Sequence, residues 1–267
     1  MIKLIATDMD GTFLRDDKSY SEEFIDVYHE MKKQDIKFMI ASGNQYELLL
    51  SKFDRSINED LIYLCENGTK VVYQGQCLYK SFLDKKDYLE TLNILKLYKD
   101  CMIVVSGDKH AYVSKDYEYK KDFISLFMKN VVFVDNYEDI EDDILKFSLA
   151  HFDGKIEERT QDIAPQLNDK LKLVTTGHVW FDIFYKTVNK GTTLTYLLNQ
   201  LHINKDEVAA FGDQMNDYEM LESVKYAYAM ENAVDQIKDI AYEVVDSNEN
   251  DGVVKKIKEI LKGEYEI

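Results

Sequence analysis

The sequence predicts an α/β fold in which a parallel sheet core is interrupted by an inserted α+β domain. Three observations carry that prediction. Short apolar runs alternate with amphipathic helical stretches near both ends of the chain. No tight hairpin joins the main strands there, which implies parallel pairing with right-handed crossovers. Between about residues 83 and 185 the texture changes to paired strands with intervening helices, and the first texture then returns. The predicted division is a core in two parts, 1–82 and 186–267, around an insert at 83–185.

The elements follow in order. "KLIAT" (3–7) reads as a buried strand, and "SEEFIDVYHEMKK" (21–33) as a helix with Phe24, Val27, Tyr28 and Met31 on one face and serines placed to cap it. "KFMIAS" (37–42) is a second strand, followed by a helix through 45–53. "LIYLC" (61–65) is a third strand, and 69–79 a hairpin turning at Gln74-Gly75. In the insert, a helix at 84–99 precedes strands at 101–106 and 111–114, and a helical stretch at 116–129 precedes strands at 131–135 and 144–152. A helix over 156–171 and strands at 172–176 and 179–185 close the block, whose sheet is expected to be antiparallel. Afterwards come a helix at 191–201, the strand "EVAAF" (207–211), a helix after "GDQMND", "YAYAM" (226–230), a helix, "YEVVD" (242–246) and a last helix at 252–262.

Composition narrows the function. The 267 residues carry a net charge of -17, and only three of the basic side chains are arginine (Arg15, Arg55, Arg159). Such a field repels nucleic acid and anionic membranes, and bidentate phosphate or base readout is poorly supplied. Nucleic acid and membrane are not expected as partners, and a small anionic substrate would need a metal cation and a lysine to reverse the sign locally. Cys65, Cys77 and Cys101 lack metal-site spacing and read as free buried thiols. No apolar run reaches the ~20 residues of a membrane span, and the first apolar stretch is too short for a secretory signal, so a cytoplasmic protein is expected.

The chemistry-bearing residues stand at strand ends. In "MIKLIATDMDGTFL", Asp8 and Asp10 share one side of an extended chain; Gly11 permits a tight turn and Thr12 offers a hydroxyl. "ASGN" places Ser42 and Gly43 just past the second strand, a hydroxyl and an open N–H before a helix start. Lys190 opens a helix, where the macrodipole disfavours a cation and pairing with a carboxylate would explain it. In "AAFGDQMNDYEML", Asp213 ends another strand, and Asn216 or Asp217 serves as a plain helix cap or as part of the site. Carboxylates gathered at neighbouring strand ends repel, and Mg²⁺ with oxygen ligands is the simplest compensation. The aromatic alternation of 178–185 and the pair His110 and Tyr112 read as sheet packing.

The set "DMDGT", "ASG", "NKG" and "GDQMND" resembles the haloacid dehalogenase-like hydrolases, in the Cof-type phosphatase branch with a class IIB cap inserted in a Rossmann-like core. "CENGTKV" (65–71), "YAYAMENAVDQIKDIA" (226–241) and "NENDGVVKKI" (248–257) are similar to further stretches of that family. The resemblance implies Asp8 as nucleophile and Asp10 as acid and base. It implies phosphate binding by Ser42, Gly43, Lys190, Thr12 and Asn216, and a Mg²⁺ held by Asp8, the Asp10 carbonyl and Asp213, with Gly11 and Asp217 in support. The second motif departs from the family's usual "ATGR": Asn44 stands where that pattern has arginine, so a contact made by that arginine does not carry over. A phosphomutase, or a non-catalytic binder of phosphorylated metabolites, are the alternative functions.

Overall fold

The computed structural model describes residues 1–152, 156–176 and 179–265. The chain divides into two compact units. One comprises Met1–Ser42, Lys52–Tyr79 and Asn189–Ile267, the other Gly43–Ser51 and Lys80–Val188. His178, at the head of the predicted aromatic alternation, lies outside the described residues.

In chain order the elements are β1 (Leu4–Thr7), α1 (Phe24–Lys33), β2 (Lys37–Ala41), α2 (Tyr46–Leu50), β3 (Ile62–Cys65), β4 (Lys70–Tyr73) and β5 (Gln76–Lys80). Next come α3 (Lys85–Leu95), β6 (Cys101–Gly107), β7 (Ala111–Ser114), α4 (Lys121–Phe127), β8 (Val131–Val134), β9 (Ile144–His151), α5 (Ile156–Ile163), β10 (Leu171–Thr176) and β11 (Trp180–Tyr185). The last are α6 (Lys190–Leu201), β12 (Val208–Gly212), α7 (Tyr218–Glu222), β13 (Tyr226–Met230), α8 (Asp235–Ile240), β14 (Glu243–Val245) and α9 (Gly252–Leu261).

The first unit holds an eight-stranded sheet in the order β14-β13-β12-β1-β2-β3-β4-β5. Pairing is parallel from β14 to β3, and β4 turns back antiparallel on β3. Leu4, Ile5 and Ala6 of β1 are fully buried, which is why this strand reads as a continuous apolar run. Leu4 pairs with Val208 and Thr7 with Phe211, so β1 and β12 end level with each other. That register sets Asp8 and Asp213 beside each other at the carboxyl edge of the sheet, where open α/β sheets place ligands. The β4–β5 turn uses Gln74 and Gly75, both with positive φ (51° and 71°), as a two-residue hairpin requires.

Helix α1 buries Phe24, Val27, Tyr28 and Met31. The serine cap expected there is absent: Glu23 takes the cap position with no side-chain bond, and Ser21 contributes only its carbonyl, which accepts from the Phe24 N–H at 3.0 Å. Phe13, just beyond the Asp10 loop, packs among Tyr20, Phe24, Phe38 and Phe53, with ring centroids 4.7–5.9 Å apart. Such aromatic pairs each contribute about 0.5–1.5 kcal/mol beyond simple burial, and they pin one end of that loop to the core.

The second unit holds a six-stranded sheet in the order β10-β11-β9-β6-β7-β8. It departs from the expected all-antiparallel pairing at one place, because β7 and β8 are parallel. Residues 115–127 form a 3₁₀ turn and α4 between them, a crossover long enough to bring the chain back in the same direction. α5 stops at Ile163 rather than continuing to 171, giving way to a 3₁₀ turn, Ala164–Gln166, with Pro165 in its first turn, where a missing N–H is tolerated. One sheet face packs Tyr88, Leu92, Phe147, Leu149, Phe181 and Ile183; Met102, Val104, Val113, Ile124 and Trp180 form a second cluster.

Cys65 and Cys101 are buried and free, but Cys77 is exposed, contrary to the expectation for all three. Among the described residues no helix is long and apolar enough to cross a membrane.

Candidate active site

β1 delivers Asp8, whose N–H continues the sheet ladder by donating to Phe211 O at 3.0 Å. β12 ends in Gly212 and releases the chain into the turn carrying Asp213 and Asp217. α6 begins at Lys190, behind a capping box in which Asn189 accepts from the Thr192 N–H. That side-chain cap satisfies the first-turn donors and frees the Lys190 side chain to turn inward.

These elements bring their charges together in a buried cluster. The Lys190 ammonium donates to Asp8 Oδ1 at 2.5 Å and to Asp217 Oδ1 at 2.6 Å. Lys190 is 1% exposed and Asp217 0%. The second oxygen of Asp217 accepts from the backbone N–H of Asp213 (3.1 Å) and of Gln214 (3.2 Å). Thr12 donates its hydroxyl to Asp213 Oδ1 at 2.8 Å. Gly11 has φ +83°, and a Cβ there would stand 2.5 Å from Asp213 Oδ2. Glycine at that position is therefore required twice, by the turn and by the carboxylate against it.

Three carboxylates, those of Asp8, Asp213 and Asp217, each bring one oxygen within 4.8 Å of the others. Facing them is one ammonium. Burial raises the Asp8 carboxyl well above the usual carboxylate range; Asp217 and Asp213 push the same way, against Lys190. Asp213 is pushed up to about 6, chiefly by burial, with Thr12 opposing the shift and Asp217 adding to it. For Lys190, burial disfavours the charge, and Asp217 and Asp8 outweigh that, so its pKa lies above the ordinary value. A cluster of oxygen donors with surplus negative charge fits a hard divalent cation. Asp8 and Asp213 are the better placed to bind one, because Asp217 is tied to Lys190 and two backbone N–H groups, whereas Asp213 accepts from neutral side chains, Thr12 at 2.8 Å and Gln214 Nε2 at 3.4 Å.

Not every anticipated residue joins this cluster. The Asp10 side chain turns outward and pairs with Lys18 at 2.8 Å, both about half exposed. Ser42 is buried at the end of β2, its N–H donating to Leu64 O and its carbonyl accepting from Asn67 N–H. Gly43 and Asn44 belong to the second unit, where the Gly43 carbonyl accepts from Lys146 Nζ at 3.0 Å. Asn216 is half-buried and takes no part in the bonds that join the carboxylates. Asp217 occupies the cap position of α7 without a side-chain cap bond; its carboxylate instead closes the preceding turn by accepting from the Asp213 and Gln214 N–H groups, and shares Lys190.

Sequence reasoning missed Lys18, Asn232 and Asn248. Lys18 sits in a polar run, "RDDKS", with nothing to separate it from a solvated lysine. Asn232 and Asn248 lie in "AMENA" and "NENDG", stretches matched to the family without a role. It also missed a buried polar group in the second unit: Asp182 accepts from Lys146 (2.8 Å) and Ser148 (2.6 Å). Period-two polarity in "ILKFSLAH" was the available signal.

The chain is similar to known proteins over nearly its whole length. Residues 5–257 match the family model described as haloacid dehalogenase-like hydrolase. The 5-amino-6-(5-phospho-D-ribitylamino)uracil phosphatase YbjI of Escherichia coli is 36% identical over 98% of this chain and 97% of its own length. Phosphoglycolate phosphatase 1 of Saccharolobus solfataricus is 25% identical over 100% of this chain and 99% of its own. The crystal structure of SMU.1108c from Streptococcus mutans UA159 superposes with a TM-score of 0.87 at 31% identity, covering 98% of this chain and 100% of that one.

Proposed function

Because the chain belongs to the haloacid dehalogenase-like hydrolase family and is a phosphoric monoester hydrolase, we propose that it hydrolyses small phosphate monoesters with Mg²⁺, through an aspartyl-phosphate on Asp8. The observation that carries this reading is the buried set of Lys190 between Asp8 and Asp217, with Asp213 alongside.

In this reading an Asp8 carboxylate oxygen attacks phosphorus and the ester oxygen leaves, taking a proton from Asp10. Water then attacks the acyl phosphate, giving its proton to Asp10 and releasing inorganic phosphate. The Asp8 and Asp213 carboxylates and the Asp10 carbonyl are the groups that would hold Mg²⁺, which supplies charge neutralisation to the phosphoryl group. Lys190 keeps Asp8 oriented and offsets negative charge as it gathers on the transferring group. Ser42, Thr12, Gly43 and Asn216 are assigned to phosphate binding, and Gly11 and Asp217 to support. Asp10 must leave Lys18 to reach a leaving group; an exposed pair worth about 0–1 kcal/mol permits that. The second unit is assigned the role of a class IIB cap that excludes water during the chemistry.

Sugar phosphates and cofactor- or nucleotide-like phosphates are the proposed substrate classes. The phosphoribityl-aminouracil named for the Escherichia coli relative falls in the second. The test is hydrolysis of p-nitrophenyl phosphate and a panel of phosphorylated metabolites, with Mg²⁺ or with chelator, by wild type and Asp8→Asn. Release of phosphate that needs Mg²⁺ and Asp8 supports the proposal. Activity surviving in the variant, or dependence on a sugar bisphosphate without net phosphate release, overturns it.

A further inference from the structure

The loop that carries Asp10 is held from an unexpected quarter. Asn248, buried at 5% exposure in the turn before α9, donates through Nδ2 to Leu14 O at 3.1 Å and to Asp16 Oδ1 at 3.3 Å. Its N–H donates to Asn232 Oδ1 at 3.1 Å, and Asn232 Nδ2 donates onward to Gly11 O at 2.7 Å. Two further contacts join the same two segments. Arg15 pairs with both oxygens of Asp251 (2.7 and 2.8 Å), and the Asp16 N–H donates to Glu249 Oε1 at 2.6 Å. Two residues beyond Asn232, the Val234 N–H donates to Asp213 O at 3.0 Å. One short turn after β13 thus grips both the Gly11 carbonyl and the Asp213 backbone.

We propose that Asn248 and Asn232 are positioning residues for Asp10, acting through the Gly11–Leu14 backbone. The inference rests on the reading of Asp10 as acid and base. Asp10 lies on a segment with left-handed backbone at Gly11 (φ +83°) and Lys18 (φ +69°), and its side chain is half exposed. Little packing fixes that side chain, so its placement depends on the backbone behind it. Each asparagine supplies a donor to a loop carbonyl, and the Asn248 amide links the two into one connected unit. A general acid displaced by about 1 Å loses much of its effect, which is why a backbone tether far along the chain reaches the chemistry.

The test exploits leaving-group chemistry. p-Nitrophenolate departs without a proton, whereas an alkoxide needs one, so kcat/KM for an alkyl phosphate depends more on Asp10 than kcat/KM for p-nitrophenyl phosphate. Asn248→Ala and Asn232→Ala are each expected to lower kcat/KM for an alkyl phosphate roughly tenfold more than for p-nitrophenyl phosphate. In an Asp10→Asn background neither is expected to lower the alkyl phosphate value further, because coupled residues are not additive. Asn232 is exposed, so its variant keeps the proposal testable if Asn248→Ala folds poorly. Equal losses on both substrates, or full additivity with Asp10→Asn, would overturn the proposal. If Asp10→Asn itself shows no leaving-group dependence, the role of Asp10 fails instead.

Discussion

Asp87 in the second unit and Asp8 in the first show comparably little surface, at 2% and 7% exposure, but Asp87 lies against the exposed Lys170 and Asp8 against the buried Lys190, and their acidity moves in opposite directions. Asp87 accepts from Asn168 Nδ2 (2.9 Å), Lys170 Nζ (2.9 Å) and Tyr185 OH (2.8 Å). Burial alone would raise its pKa, and the bonds from Lys170 and Tyr185 outweigh it, leaving the carboxyl below the ordinary value. Asp8 has one ammonium, which it shares with Asp217, and it sits beside two other carboxylates. The buried Lys146–Asp182 pair repeats the balanced case, one lysine and one serine hydroxyl to one carboxylate. Surface exposure therefore does not separate these two aspartates. The ratio of donors to carboxylates does, because a carboxylate set short of donors is relieved by taking up a proton or a cation.

The sharpest way to break that contrast is to neutralise each aspartate. Asp8→Asn is expected to lower phosphatase activity at least ~1,000-fold, with thermal stability in chelator no lower than wild type, since a buried carboxylate short of donors is removed. Asp87→Ala is expected to do the reverse: a loss of about 1 kcal/mol in stability from its missing hydrogen bonds, with kcat/KM of the folded protein within about twofold. Activity assays and calorimetry on both variants decide it. A stable, inactive Asp87→Ala would erase the distinction.

Metal addition comes next in size. At saturations near 100 times the dissociation constant, a ligand bound only by the folded state stabilises by about 2.7 kcal/mol. Mg²⁺ is expected to raise the melting temperature of wild type at pH 7 and to do much less for Asp213→Asn.

Acidity then separates the two units by sign. The folded protein holds the Asp213 proton up to about pH 6, whereas the unfolded chain releases it near the ordinary 3.8. Without metal, the folded state binds more protons between those values, so the Asp213 contribution to stability falls as pH rises through that window. The stability advantage of Asp213→Asn over wild type in chelator is thus expected to be large at pH 7 and to shrink by pH 5. Asp87, with its folded pKa depressed, contributes stability that is present at neutral pH and lost only as pH falls below the ordinary carboxylate value. A denaturation series in chelator that shows the same sign for both aspartates would contradict this assignment. The smallest effect belongs to Lys18→Ala, expected to change stability by under about 1 kcal/mol because its pair with Asp10 is exposed.

Much of this was legible from residue patterns. Apolar runs such as "KLIAT" and "EVAAF" marked parallel strands because both faces of such a sheet are covered. A lysine opening α6 and aspartates ending β1 and β12 marked the cluster because each violates a local preference. The parallel β7–β8 pair was not legible, since pairing direction depends on how residues 115–127 cross and not on the strands themselves. Nor was the outward turn of Asp10 toward Lys18, which is a rotamer choice made between two polar residues of one loop. Asn232 and Asn248 escaped because their partners are backbone carbonyls far away in the chain, and a carbonyl leaves no mark in a sequence.

The bond from Asn248 to Leu14 spans 234 residues, and β1 finds its neighbour β12 only across a comparable stretch. On the ribosome, Asp8 and Asp10 emerge long before the strand that aligns one and the turn that tethers the other. A growing chain therefore carries the proposed nucleophile through the whole span from β1 to β12 without the frame that holds it. Under the proposed function, phosphate-ester cleavage waits until the Asn248 turn has been made and has closed on the Asp10 loop.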